Sequence, residues 1–195
     1  MANTFAPFGF RQYSGTGSAP TYEQVAMLVS SADTNPIYFG DPVTPLATGY
    51  VTASTAPGTT QIAGIFVGCT YLSVSQKRKV WSNYWPGSDA NGDVTAYVVN
   101  DPNAQFVVQV SGAPINISGI GANVQYAYGS GNSASGISGA YVTAASEAVT
   151  ATLPFRVTAL VTQPPGANGT DYTSNNNYVI VAFNNVSTKQ LTSVG

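Results

Sequence analysis

The chain has 195 residues and a net charge of −2, and charged residues make up 7% of it, against about a quarter in ordinary soluble domains. Six Lys and Arg are too few to neutralise a long run of phosphates, which argues against nucleic acid as a partner. No apolar run approaches the ~20 residues of a spanning helix, which argues against a membrane protein. Histidine is absent, and with it Ser-His-Asp and Cys-His catalysis and the commonest zinc and iron ligand.

Residues 1–20 mix Phe5, Phe8, Phe10 and Tyr13 with glycines and prolines, and they carry Arg11. Gly and Pro oppose regular structure while aromatics seek burial. The segment therefore reads as an extended arm, packed on its own body or on a neighbour. Residues 21–31 (TYEQVAMLVSS) are the one candidate helix: Thr21 and Gln24 have capping-box spacing, and Tyr22, Val25, Leu28 and Val29 share a face. Residues 1–35 are thus expected to form an arm with a short helix, and residues 36–195 a β-rich body, with a subdivision near Gly112 left open.

Residues 33–41 read as a turn and a short strand. Beyond Pro42 the pattern is strand after strand, and 49–53 read as one. Residues 62–86 (IAGIFVGCTYLSVSQKRKVWSNYWP) read as a hairpin around which the body is organised. Its first strand is apolar on both sides, the signature of burial on both faces. Its turn holds Lys77, Arg78 and Lys79, and its return strand, 80–85, holds Trp81 and Trp85. Strands follow at 94–99, 105–110, 122–128, 154–162 and 178–183, with turn signals between them. In 105–110, Phe106, Val108 and Val110 alternate with Gln105, Val107 and Gln109. Residues 129–139 (GSGNSASGISG) read as a long surface loop, and 163–177 as a polar loop. The expected fold class is all-β, an antiparallel β-barrel or β-sandwich body with an extended N-terminal arm and one short helix.

Few residues carry chemistry. Asp89, Asn91 and Asp93 have the spacing of the first three EF-hand ligands, but Val94 stands where the glycine belongs and Asn100 where the bidentate Glu belongs. The run reads as a hairpin loop. Most aspartates sit beside Gly, Pro, Asn or Ser, as turn residues do, so no catalytic carboxylate pair stands out. Cys69 lies mid-strand and reads as a small buried hydrophobe. No enzyme activity, cofactor or metal is expected. The cluster at 77–79 adjoins Trp81 and Trp85, and Arg and aromatic residues are enriched where interfaces concentrate their energy. The candidate partner contacts are Phe5, Phe8, Phe10, Arg11, Tyr13, Lys77, Arg78, Lys79, Trp81 and Trp85.

Several segments in order carry a resemblance: PTYEQ (20–24), IYFGDPV (37–43), GIFVGCTY (64–71), SNYWPGS (82–88), NDPNAQFVVQ (100–109), GSGNSASGISG (129–139) and LPFRVTALV (153–161). In these the chain resembles the decoration, or cement, proteins of tailed bacteriophages. The resemblance implies a β-barrel or β-sandwich on the outer surface of the virion, made in the host cytoplasm. It implies as partners the major capsid protein and copies of the chain itself, as a trimer or dimer, with the protein clamping neighbouring capsid subunits. An N-terminal arm reaching a neighbour would fit residues 1–35, in which case deleting residues 1–20 should abolish capsid binding and leave the body folded. Alternatives are a head fibre or tail component, or a carbohydrate-binding module whose stacking platform is drawn from Trp81, Tyr84, Trp85, Tyr126 and Tyr128.

Overall fold

Within residues 62–86, residues 64–72 and 79–82 form an antiparallel hairpin. In the computed structural model, which describes residues 3–14, 24–56, 61–163 and 171–189, the chain forms thirteen strands. They are β1 (Arg11–Ser14), β2 (Val25–Val29), β3 (Pro42–Pro45), β4 (Val51–Ala53), β5 (Gly64–Leu72), β6 (Lys79–Ser82) and β7 (Val94–Val99), then β8 (Gln105–Ser111), β9 (Asn123–Val124), β10 (Tyr126–Ala127), β11 (Tyr141–Thr143), β12 (Phe155–Leu160) and β13 (Tyr178–Phe183). The helices among the described residues are single 3-10 turns, and none of them is long and apolar enough to cross a membrane.

The strands make two sheets. One runs β10-β11-β8-β13-β12-β9, with β1 beside β11 on the same edge of β8. The other runs β2-β7-β5-β3-β4, with β6 also on β5. The chain passes from the second sheet to the first between β7 and β8, ahead of Gly112. The result is a two-sheet, sandwich-like body and not a closed barrel. The second sheet curls until β4 packs beside β2, yet no ladder joins the two strands.

Alternation explains how each sheet is placed. Phe106, Val108 and Val110 of β8 meet Phe155 and Val157 of β12, and Val179, Val181 and Phe183 of β13, in one core. Phe66, Cys69 and Tyr71 of β5 meet Val94, Ala96 and Val98 of β7, with Ile37 and Trp85, in a second. β5 serves both cores, because Ile65 turns to the first while Phe66 turns to the second. Its burial on both faces is as the sequence implied.

Two expectations are corrected. The candidate helix at 21–31 is, over Val25–Val29, a strand paired antiparallel to β7 from Val25↔Val98 to Val29↔Val94; residues 21–23 lie outside the described residues. A short apolar run fits either period, and the ladder on offer at the edge of β7 decides it. The return strand of the hairpin ends at Ser82, and Trp85 instead bridges Ile37.

Of the two packings open for the N-terminal arm, described residues 3–14 show the one on the chain's own body. Phe10 is 1% exposed and stacks on Phe155 with ring centroids 4.4 Å apart, edge-on to Phe106 and Tyr126. β1 pairs with β8. Residues 4–6 lie over Gln109, whose side chain accepts from Ala6 N–H and donates to the carbonyls of Thr4 and Asn176. Gln109 is therefore fully buried, although alternation marked its side as the polar one. The described part of the first 14 residues belongs to the body.

Candidate functional site

One face of the second sheet is covered at one end and open at the other. Ile65 pairs with Val99, and both lie in the first core. The same face continues past a bulge in β5 between Phe66 and Gly68. There Leu28, Thr95, Thr70 and Trp81 stand directly opposite one another across β2, β7, β5 and β6. Leu28 is 46% and Trp81 64% exposed. Where the covered half gives way to the open half, a groove of about 600 Å³ runs between the two sheets.

The groove has an apolar floor of Ile65, Val67 and Phe106, and walls that include Arg11, Phe39, Trp81 and Ile137. The Trp81 indole lies close over Gly68, which has no side chain. Gly68 has φ +149°, and a Cβ there would stand 3.0 Å from Trp81 Cζ2 and 3.1 Å from the Ser82 carbonyl. Across the groove the Arg11 guanidinium lies 4.4 Å from the centre of the Phe39 ring and 6.0 Å from that of Phe8. Both distances are within cation–π reach. Burial alone pushes Arg11 below its ordinary value, and among the described residues it makes no ion pair.

Beyond Trp81 a second hollow is lined by Gln76, Arg78, Lys79, Val80 and Trp81. This is the basic turn. Asp89 fixes it by accepting from both Ser73 and Ser75 hydroxyls and from the Ser75 N–H. These hydrogen bonds hold the Asp89 carboxyl below its ordinary value. Arg78 donates twice to Gln76 Oε1, and Lys77, Arg78 and Lys79 are all exposed. The turn cations and Trp81 thus adjoin along the edge of the second sheet, and Arg11 faces Trp81 across the groove from the first.

The other candidates scatter. Phe5 packs edge-on against Tyr141 and Phe8 against Tyr178, each with surface remaining, and Tyr13 is more than half exposed. Phe10 and Trp85 have no surface to offer a partner: both are core residues, and the Trp85 indole N–H donates to the Asp33 carbonyl. Burial of Trp85 and Tyr126 also dismantles the proposed stacking platform. Tyr128 is tied down as well, its hydroxyl donating to Asp41 and lying 3.1 Å from the Pro36 carbonyl.

In the acidic run, Asp89 turns to the serines while Asp93 accepts from the Tyr50 hydroxyl and the Ser31 N–H. No group of three or more metal-binding side chains forms among the described residues. Cys69 is fully buried, and burial pushes its thiol up to about 12.

Sequence reasoning missed a fully buried carboxylate among the described residues. Asp41 is 0% exposed and accepts from Ser138 Oγ, Tyr38 N–H and Tyr128 OH. Through Ser138 it anchors one end of the 129–139 loop beside the start of β3, while residues 130 and 132–135 of that loop are exposed. Phe39, Ile137 and Asn83 of the groove were missed too, because only the folded chain brings them to Arg11 and Trp81.

No family model matches the chain, and no curated protein and no solved structure matches it either.

Proposed function

We propose that the chain is a virion structural protein that binds the outside of an assembled phage capsid and clamps neighbouring major capsid protein subunits. The observation that carries this reading is the open half-face of the second sheet, a Leu28–Thr95–Thr70–Trp81 row bordered by Lys79 and Arg78. Large exposed apolar groups beside cations are the composition of a protein-binding surface. The resemblance to decoration proteins supplies the partner, and the nearly uncharged surface suits a protein packed against a shell.

Clamping follows from repetition. A shell offers many equivalent contacts, and an oligomer held by one subunit presents its other subunits at high local concentration. A trimer or dimer of this chain is therefore part of the reading. Adding the purified protein to capsids that lack it should raise the temperature at which the shells open. An unchanged opening temperature at saturating protein would contradict the clamp.

A further inference from the structure

We infer that the groove between the two sheets receives an extended acidic peptide segment of a partner protein, seated with an apolar side chain against Trp81 and a carboxylate on Arg11. This deepens the capsid-binding reading and rests on it for the partner. The geometry supplies the argument. Arg11 is half-buried, stacked on Phe39, and has no carboxylate beside it among the described residues. A partly desolvated cation that leans on an aromatic ring gains most from an incoming anion, since ion pairs strengthen as water is excluded. Arg78 and Lys79 add positive charge on the far side of Trp81.

The groove is shaped for a chain. Its floor of Ile65, Val67 and Phe106 is apolar and suits the alternate side chains of a strand. β6 borders it and, among the described residues, pairs on one side only, with β5. A free strand edge beside an apolar trough is the arrangement that takes up an extended peptide by main-chain hydrogen bonds. A neutral glycan would have no use for the cations and would meet a single exposed indole, because Trp85 is in the core.

The test uses the full-length protein and its tryptophan emission, since Trp81 is exposed and Trp85 buried. The probes are the end-blocked peptide Glu-Leu-Glu-Leu-Glu, its Gln-Leu and Lys-Leu counterparts, and maltohexaose. The Glu peptide should blue-shift the emission, with binding that weakens as salt rises. Arg11→Gln should weaken binding about tenfold, the effect of removing one partner of a charge pair. Tyr13→Ala, outside the groove, should leave it within about twofold. If Arg11→Gln does not fold, Arg78→Gln with Lys79→Gln on the exposed turn should reduce both affinity and salt dependence. Equal binding of the Glu and Gln peptides, a response to maltohexaose alone, or no response to any probe would overturn the inference. No capsid enters this titration. A protein that binds capsids but not the Glu peptide keeps the clamp and loses the groove, and the opposite result does the reverse.

Discussion

The Ser138 hydroxyl donates to Asp41 across 97 residues of sequence, in the interior of the protein. Burial outweighs this and the other hydrogen bonds to the carboxylate, and raises the Asp41 pKa from 3.8 to about 6. The native state then holds its proton more tightly than the unfolded chain does. The stabilising share of that proton is fully present below about pH 4 and is lost as pH rises through about 6. Over about 2 pH units at ~1.4 kcal/mol each, the loss is about 3 kcal/mol. Asp41→Asn cannot ionise; it can still accept from Tyr38 and Tyr128 and donate to Ser138. Urea unfolding between pH 3.5 and 7.5 should show the variant gaining on the wild type as pH rises. A constant difference would contradict the assignment.

Trp81 lies close over Gly68. A side chain at this position would crowd the indole and the Ser82 carbonyl and would sit at a φ that residues other than glycine rarely adopt. Gly68→Ala should destabilise the protein by about 1–3 kcal/mol and change the Trp81 emission. Trp81→Ala, which removes a mostly exposed side chain, should leave the thermal midpoint nearly unchanged.

Phe10 makes the N-terminal segment part of the fold. Phe10→Ala empties a site enclosed by Phe155, Phe106 and Tyr126, at a cost of about 3–5 kcal/mol. Removing residues 1–14 also strips β1 from β8 and the cover from Gln109. Loss of cooperative thermal unfolding is expected. A truncated protein with an unaltered transition would show the segment to be separable after all.

Charge reversal of Lys77, Arg78 and Lys79 separates binding from folding. All three are exposed, so the triple variant should unfold within about 1 kcal/mol of the wild type. On the capsid-binding reading, its binding to capsids should fall and depend less on salt. Unaltered binding would leave the turn as solvated surface.

Much of the fold is written in two-residue alternation. β5, β7, β8, β12 and β13 are each long enough to show it, and the sequence places β7 and β13 to the residue. β2 misleads because VAMLV within a capped frame satisfies a helical period as readily as a strand, and only pairing with β7 distinguishes them. β3 is bounded by Pro42 and Pro45, which advertise a loop. β11 is three residues long and pairs in parallel with β8, a contact that local sequence does not encode. The basic turn and Trp81 stand out in sequence by composition. The groove does not, because Arg11 and Trp81 lie on different sheets and meet only where the sheets part.

The proposed capsid binding is tested most directly by co-sedimentation of the protein with empty tailed-phage capsids that lack it, followed by counting bound copies per shell at saturation. The account predicts a fixed number that matches one class of symmetry-related positions on the shell. A handful of copies per particle would point to a vertex, fibre or tail component, and no co-sedimentation would contradict the capsid-binding reading outright.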